Sequence, residues 1–163
     1  MGYRAVVITV SDRGSRGERE DGSGPELVRM LRALGMELAG LQIIPDERDL
    51  ILQALVDWSD GEKADLILTT GGTGVSPRDV TPDATKEVIE REIPGMAEAM
   101  RQRSLAVTPH AMISRAVAGI RGRTLIINLP GSPKGARENF SAIQPALLHA
   151  IDKIKGDPRE CAP

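Results

Sequence analysis

The sequence contains few aromatic residues and a single cysteine. Tyr3, Trp58 and Phe140 are its only aromatic side chains, which excludes an aromatic platform on which nucleic-acid bases stack. The one cysteine, Cys161, excludes an intrachain disulfide and a zinc site built from cysteines, and it favours a reducing compartment. The chain also has no apolar run near the ~20 residues that a membrane-spanning helix needs.

The charges are nearly balanced, so neither sign dominates. Lys and Arg number 21 and Asp and Glu number 23, for a net charge of −2. This balance argues against a protein that binds nucleic acid mainly by neutralising phosphates. The N-terminus has neither a basic leader nor a small-residue cleavage site, so no signal peptide is expected. We therefore expect a soluble, cytoplasmic protein that binds neither nucleic acid nor membranes.

Short apolar runs alternate with helical patterns along the 163 residues. Four runs predict strands, the first, third and fourth of them buried on both faces: 5–10, 38–44, 66–70 and 124–129. Five patterns predict helices over 23–34, 46–58, from 81 onward, 94–107 and 132–155, with Pro145 expected to kink or split the last. The alternation predicts a single-domain, doubly wound α/β fold with a mostly parallel sheet and helices on both faces.

The remaining segments complete this architecture. Residues 116–120 turn at 121–123 into the last strand, which predicts a hairpin with an antiparallel edge strand. One domain is expected over residues 1–155, followed by a polar, frayed tail over residues 156–163.

Polar residues follow every predicted parallel strand. Ligands bind at the carboxyl ends of such strands, so we expect these residues to converge on one edge. They are Ser11 and Asp12 after the first strand, Asp46 after the second, Gly71, Gly72, Thr73, Gly74, Arg78 and Asp79 after the third, and Pro130, Gly131, Ser132, Lys134 and Gly135 after the last.

The loop after the third strand is the most informative of these segments. It spans residues 71–80, whereas a βα connection usually has about 2–6 residues. Three glycines in residues 71–74 let the backbone approach a ligand and direct N–H groups at an anion. No Gly-Lys-Ser/Thr follows them, and the spacing is not Gly-x-Gly-x-x-Gly, so P-loop and Rossmann sites are disfavoured. The pattern predicts an anion-binding loop of another kind.

Two carboxylates beside this loop, Asp46 and Asp79, suit Mg²⁺, which takes one or two protein carboxylates together with substrate phosphates. An aspartate before a helix is more often a cap, and for Asp46 alone the cap is the better interpretation. Thr81 is a better cap than Asp79, which leaves the Asp79 carboxylate free for chemistry. Asp12 is a weaker third candidate.

Basic residues and a helix start complete the predicted site. Arg78 and Lys134 are interpreted either as cations that neutralise phosphate or as solvated surface residues. The segment from Ser132 to Gly135 is either a second anion site at a helix N-terminus or an ordinary cap. The residues by themselves predict a two-anion site with carboxylates.

At residues 69–74 (TTGGTG) and 78–85 (RDVTPDAT), the chain resembles the molybdopterin adenylyltransferase (MogA/MoaB) family. The likeness covers nearly the whole chain in order, continuing at residues 44–47, 94–95, 114–115, 119–122 and 127–133. The resemblance implies a doubly wound α/β fold and a homotrimer or dimer of trimers. It implies transfer of AMP from Mg-ATP to the terminal phosphate of molybdopterin, with release of pyrophosphate. ATP and molybdopterin are then the substrates, Mg²⁺ is the cofactor, and a molybdate-insertion protein is a transient partner.

The resemblance also assigns residues by matching position. Asp46 and Asp79 resemble the two family aspartates that are essential for adenylation and for handling the metal-nucleotide. The segment from Gly71 to Gly74 resembles the ligand-contacting loop, and the segment at Gly131 and Ser132 lies beside it. The polar residues that match positions around the pterin and nucleotide are Ser11, Ser104, Ser114 and Asn128.

Other functions compete with this one. The main alternative is a molybdopterin-binding module of the same family without significant adenylation activity. Molybdate insertases carry extra domains, for which this chain has no room, and a scaffold role is disfavoured because the chain has no linkers. A generic nucleotide-binding protein is a further alternative, which a molybdopterin-independent ATPase activity would reveal. The presence of Asp46 and Asp79 favours the active enzyme.

Overall fold

The computed structural model describes residues 2–161. Its centre is a six-stranded sheet in the order β2–β1–β3–β6–β5–β4. The strands are β1 (Arg4–Val10), β2 (Glu37–Ile44), β3 (Leu66–Thr70), β4 (Arg91–Glu92), β5 (Ala118–Arg121) and β6 (Thr124–Leu129). β2, β1, β3 and β6 run parallel, while β5 is antiparallel to β6 and to β4. The predicted mostly parallel sheet and its antiparallel edge hairpin are confirmed.

Helices cover both faces of the sheet. They are α1 (Asp12–Ser15), α2 (Ser23–Ala33), α3 (Arg48–Ser59), α4 (Thr81–Val88), α5 (Pro94–Leu105) and α6 (Pro133–Ile154), with 3₁₀ turns at Asp60–Glu62 and Pro109–Ile113. One apolar cluster joins α2, α5 and α6 to one face, and a second joins α3 and α4 to the other. The doubly wound α/β fold predicted from the sequence is therefore confirmed.

The alternation of side chains in β1 shows how the two faces are filled. Ala5 and Val7 pack with α2, α5 and α6, whereas Val6 and Ile8 pack with α3 and α4. Both sets are fully buried. A strand covered on both faces needs apolar residues at every position, which explains the unbroken apolar runs of the sequence.

The strand order reverses at β1, and this reversal positions the site. β1 pairs with β2 on one side and with β3 on the other. The connection through α2 therefore leads to one side of β1, and the connection through α3 returns to the other. In doubly wound sheets a crevice opens at the carboxyl ends of the two strands that flank such a reversal, here β1 and β3.

Two predicted helix caps are wrong. α3 begins at Arg48 after Glu47, so Asp46 is one residue too early to cap it, and its carboxylate is bonded to the backbone of α1 instead. Thr81 is the first residue of α4 rather than its cap, which is Val80, and its hydroxyl donates to the carbonyl of Gly71. Both side chains bond to segments that follow strands at the carboxyl edge, rather than capping α3 or α4.

α6 runs unbroken through Pro145, so the predicted split does not occur. Proline removes one N–H group from the helix. Here Pro145 is exposed and the carbonyl that loses its donor belongs to the half-buried Ser141, where water can satisfy it. Within residues 2–161, no helix is both long enough and apolar enough to cross a membrane.

The antiparallel hairpin and the chain end complete the fold. Arg121 pairs with Thr124 across a two-residue loop in which Gly122 has φ of 56°, the left-handed conformation that such turns require at their first position. α6 ends at Ile154, and Lys155 is its C-terminal cap. Beyond it, Arg159 forms ion pairs with Asp152 and Asp157. Residues 162 and 163 of the predicted tail lie outside the described residues.

Candidate active site

Two cavities lie side by side at the carboxyl edge of the sheet. The switch-point cavity, of about 500 Å³, opens over the ends of β1 and β3. The α5–α6 cavity, of about 430 Å³, is lined by residues of α5, of the 3₁₀ turn after it and of the start of α6. Ser132 lines both cavities. The predicted site is therefore divided into two compartments that share a wall.

The structure distributes the predicted site residues between these compartments. Seven line the switch-point cavity: Ser11, Asp46, Gly71, Gly72, Asp79, Gly131 and Ser132. Eight line the α5–α6 cavity: Thr73, Gly74, Ser104, Ser114, Pro130, Ser132, Lys134 and Gly135. Three are absent from both linings: Asp12, Arg78 and Asn128.

The glycines at the start of the loop after β3 are required by the backbone itself. Gly71 has φ of 105°, and a Cβ there would lie 2.3 Å from the carbonyl oxygen of Val10. Gly72 has φ of 67°, and a Cβ there would lie 2.4 Å from the Thr81 hydroxyl oxygen. No other residue fits at either position without a shift, so these glycines bring the loop close to β1 and α4.

Asp46 forms a reciprocal pair with Asp12. Its Oδ2 accepts a hydrogen bond from the Asp12 N–H at 2.8 Å, and its own N–H donates to Asp12 Oδ1 at 3.0 Å. Burial raises the pKa of the Asp46 carboxyl above its ordinary value, and the charges of Asp12 and Asp79 act in the same direction. A carboxylate with these neighbours is stabilised by a bound cation.

Asp79 closes a turn within the loop. Its Oδ2 accepts a hydrogen bond from the Ser76 N–H at 3.0 Å, and it makes no capping bond to α4. A Cβ on Gly74 would lie 2.9 Å from this oxygen, and a Cβ on Gly72 would lie 3.1 Å from Asp46 Oδ1. The two carboxylates thus flank the glycine loop, each directly against one glycine.

These two carboxylates fit Mg²⁺ as it binds with nucleotides. Both line an open cavity that is large enough for phosphates and water. Residues 2–161 contain no group of three or more His, Cys, Asp or Glu side chains that could hold a metal ion. Asp46 and Asp79 would therefore supply part of the octahedral oxygen shell, and substrate phosphates and water would supply the remainder.

Arg78 lies outside both cavities and is already paired. Its guanidinium donates to both Asp12 carboxylate oxygens at 2.9 Å and to Glu47 at 2.9 Å. These bonds lower the pKa of Asp12 and raise that of Arg78. Arg78 therefore joins the loops that follow β1, β2 and β3, a role that neither sequence interpretation had included.

The α5–α6 cavity combines apolar and polar walls. Val107, Ala111 and Ile113 line it together with serine and threonine hydroxyls. The buried Asn139 also lines it and donates to the Ser104 hydroxyl at 2.8 Å. A cavity with these walls suits a flat heterocycle with polar edges.

Ser132 acts as the cap of α6 and as the shared wall. Its Oγ accepts from the Gly135 N–H at 3.0 Å, and its carbonyl accepts from the Ala136 N–H at 2.8 Å. The cap interpretation is confirmed. Lys134 is exposed on the same turn, and its Nζ lies 3.9 Å from Glu138 Oε1.

Asn128 is a buried connector in the structure. Its Nδ2 donates to the hydroxyls of Thr69 and Thr85, both at 2.9 Å, and its Oδ1 accepts from the Val117 N–H at 3.1 Å. Its exposed fraction is 0%. The side chain therefore joins β6 to β3 and α4, and the structure does not bring it to either cavity.

Sequence reasoning missed several residues that line the cavities. In the switch-point cavity these include Arg19 and Asp21, and in the α5–α6 cavity they include Arg101, Thr108 and Asn139. Asp21 accepts from the Gly24 N–H at 3.0 Å near the start of α2, a capping pattern that the sequence could have indicated. Thr108 caps the 3₁₀ turn that follows it, because its Oγ1 accepts from the His110 N–H at 3.2 Å, and a threonine before a proline is a signal that the sequence could also have supplied.

A glycine-rich loop between two cavities, with paired carboxylates in one of them, defines an α/β protein with a two-compartment candidate site at the carboxyl edge of its sheet. Residues 6–149 match the family model described as a probable molybdopterin binding domain. The chain belongs to this family, so the resemblance found in the sequence is confirmed.

Relatives and solved structures agree with this assignment. The chain is 44% identical to molybdopterin adenylyltransferase of Helicobacter pylori (strain J99), over 93% of this chain and 87% of that protein. It is 45% identical to gephyrin of Dictyostelium discoideum over 96% of this chain, but the match spans only 23% of gephyrin. The crystal structure of the molybdopterin biosynthesis enzyme MoaB from Thermus thermophilus is 51% identical, with a TM-score of 0.90, over 97% of this chain and 99% of that one.

Proposed function

We propose that this chain is a molybdopterin adenylyltransferase, which transfers AMP from Mg-ATP to the terminal phosphate of molybdopterin and releases pyrophosphate. The observation that carries the proposal is the pair of cavities that share Ser132 as a wall. Two ligands bound in adjoining cavities are held as neighbours, which is the main requirement of a group transfer between them. The bacterial relative matched over most of its length carries the name of this activity.

The chemistry of the walls distinguishes the two compartments. Asp46 and Asp79 in the switch-point cavity would repel bare phosphates, so this cavity suits ATP together with Mg²⁺, which neutralises phosphate charge when bound. Arg19 is the basic residue of the same lining. The mixed apolar and hydroxyl walls of the α5–α6 cavity suit the pterin, with Lys134 at its rim for the terminal phosphate.

The reaction needs no strong general base. The terminal phosphate of molybdopterin is a monoester whose second pKa lies near 6, so it is mostly dianionic at pH 7. One of its oxygens forms a bond to the α-phosphorus of ATP while the bond from that phosphorus to pyrophosphate breaks. The protein contributes position and charge stabilisation. Because Arg78 is already engaged by Asp12 and Glu47, Arg19, which lines the switch-point cavity, is the better candidate to balance the charge of the pyrophosphate.

The direct test is to incubate the purified protein with molybdopterin, Mg²⁺ and labelled ATP, and to measure pyrophosphate and adenylylated molybdopterin. Product that is lost in Asp79→Asn supports the enzyme. The second candidate is the binding module, which the match to a family described only by molybdopterin binding favours. Tight molybdopterin binding without product would support it. Hydrolysis of ATP without any dependence on molybdopterin would contradict both.

The assembly that the resemblance implies is also a proposal. We infer a homotrimer or a dimer of trimers in the cytoplasm. Light scattering on the purified protein would then give a mass near three or six times the 17.5 kDa of one chain. A mass of 17.5 kDa that does not change with concentration would contradict this proposal.

A further inference from the structure

Arg115 lies behind the glycine loop and lines neither cavity. Its backbone N–H donates to the Thr73 carbonyl at 2.8 Å, and its Nε donates to the Gly74 carbonyl at 2.8 Å. Its Nη2 donates to the Asp79 carbonyl. The guanidinium also pairs with both carboxylate oxygens of Asp83 on α4, at 3.2 and 3.1 Å. One residue therefore holds the loop along its length and anchors it to α4.

These contacts set the spacing across the exposed part of the loop. The carbonyls of Gly74 and Asp79 flank residues 75–78, of which Val75 is 63% exposed. A guanidinium is planar and its donors have fixed directions, so a single Arg115 side chain fixes the separation of the two carbonyls. A lysine ammonium carries the charge but cannot bridge two carbonyls and a carboxylate in this way.

The same residue lies between the two compartments. Its chain neighbour Ser114 and its backbone partner Thr73 line the α5–α6 cavity, whereas Asp79 lines the switch-point cavity. We propose that Arg115 is a positioning residue that holds the Asp79 backbone, and hence its carboxylate, in place for the metal-nucleotide. This inference rests on the proposed function of the switch-point cavity.

The chain offers a matched control at the opposite edge of the sheet. Arg121, at the end of β5, pairs with both Asp60 carboxylate oxygens at 3.0 and 3.3 Å and donates to the Val88 carbonyl at 3.0 Å. It thus makes the same kinds of contact as Arg115 without touching the site. The variant Arg121→Ala therefore measures what such contacts contribute to stability, separately from any effect on the site.

The experiment compares Arg115→Ala, Arg115→Lys and Arg121→Ala in the full chain. It measures kcat, the KM for each substrate, the Mg²⁺ dependence, amide hydrogen exchange in residues 72–80 and thermal unfolding. A misplacement of about 1 Å costs roughly 100-fold in rate, so Arg115→Ala should lower kcat by about that factor while the KM for molybdopterin changes by less than about two-fold. Exchange in residues 72–80 should accelerate, and Arg115→Lys should give intermediate values.

Arg121→Ala should lose about as much thermal stability as Arg115→Ala. Its kcat and its amide hydrogen exchange in residues 72–80 should stay near those of the wild type. Equal losses of kcat in Arg115→Ala and Arg121→Ala, or unchanged loop exchange in the Arg115 variants, would overturn the inference. If Arg115→Ala does not fold, Arg115→Lys alone carries the comparison. A wild type that forms no product, but whose loop exchange still depends on Arg115, would contradict the proposed function while supporting the hold of Arg115 on the loop.

Discussion

At the residue scale, Asp46 and Asp79, the two aspartates of the switch-point cavity that the sequence predicted as metal ligands, are held in different ways. Asp46 is half-buried and accepts from the backbone of α1, whereas Asp79 accepts from Ser76 within its own loop. Each uses its Oδ2 for this bond. An asparagine at either position can keep an oxygen acceptor for the backbone while losing the charge. Substitution by asparagine therefore separates the structural role of the hydrogen bond from the role of the negative charge.

We expect Asp79→Asn to abolish product formation without unfolding the protein. The amide oxygen still accepts from Ser76, so the free energy of unfolding should change by less than about 0.5 kcal/mol. Product formation should fall by roughly 100-fold or more, because the charge that we propose to hold the metal-nucleotide is lost. The exposed Asp57→Asn on α3 is the control and should leave both unchanged. A large loss of thermal stability in Asp79→Asn would show that the carboxylate is structural.

Asp46→Asn should weaken metal-dependent nucleotide binding more than pterin binding. Asp46 lines the switch-point cavity and is absent from the lining of the other. We expect the Mg²⁺ concentration for half-maximal ATP binding to rise by roughly 10-fold or more. Calorimetric titrations with Mg-ATP and with molybdopterin check this. Equal losses of affinity for both ligands would contradict the assignment of Asp46 to the metal.

At the element scale, the loop between β3 and α4 limits which substitutions are informative. A Cβ on Gly71 or Gly72 would collide with Val10 or Thr81, so a change such as Gly72→Val tests the fold as well as ligand approach. Gly74 is different, because its φ is not positive and the only atoms near a Cβ there belong to the Asp79 side chain, at 2.9 Å from Oδ2. Among Gly71, Gly72 and Gly74, it is the one at which an added Cβ meets the Asp79 carboxylate and no backbone atom.

Gly74→Ala should displace the Asp79 carboxylate and reduce turnover while the protein stays folded. Gly95→Ala on α5 is the matched control, since a Cβ there meets nothing within 4 Å. The control should keep its activity and gain up to about 1 kcal/mol in stability, because alanine restricts the unfolded chain. Activity assays and urea unfolding of both variants test this. Full activity in Gly74→Ala would mean that the exact place of Asp79 does not matter.

The connections that lead from β2 to α3 and from β3 to α4 show why two helix caps were wrongly predicted. Asp46 and Thr81 precede helices in the sequence, and their residue types favour caps at such places. Their partners in the structure, Asp12 and Gly71, lie on neighbouring loops of the sheet edge. Capping is a local rule, so it fails where a side chain finds a partner that only the sheet brings close.

At the scale of the whole molecule, a buried carboxylate joins both ends of the chain at the edge of the sheet opposite the cavities. Asp65 accepts from the Arg4 N–H at 2.8 Å and from the Lys155 ammonium at the end of α6. Burial alone would raise the pKa of Asp65, but these two hydrogen bonds outweigh it, so the pKa lies below its ordinary value. The ionised form is therefore the one that stabilises the folded chain.

Asp65→Asn should lower the free energy of unfolding by about 1–3 kcal/mol at pH 7. A carboxyl whose folded pKa is depressed stabilises the fold above its unfolded pKa of about 4, and this contribution is lost as the pH falls through the folded value. The difference between wild type and variant should therefore shrink below about pH 4. Urea unfolding at pH 7 and pH 3 measures it. A difference that is constant with pH would show that the charge contributes nothing.

The sequence by itself determined the architecture and the edge of the sheet at which the candidate site lies. Unbroken apolar runs of this length are typical of strands covered on both faces, so the runs at 5–10, 66–70 and 124–129, alternating with helical patterns, indicated helices on both sides of a parallel sheet. Parallel strands bring their carboxyl ends to one edge, so the polar loops had to meet there. The family motifs then indicated the family, and with it the ligands that we propose.

Only the tertiary structure decided which of these residues reach a cavity. Arg78 binds Asp12, Asn128 is buried where it bonds Thr69, and Arg115 holds the loop from behind at Gly74. The two residues of each pair are far apart along the chain: 66 residues for Arg78 and Asp12, 59 for Asn128 and Thr69, and 41 for Arg115 and Gly74. No local pattern encodes such pairings, because they depend on which strands lie side by side. The division of one predicted site into two cavities follows from the same packing.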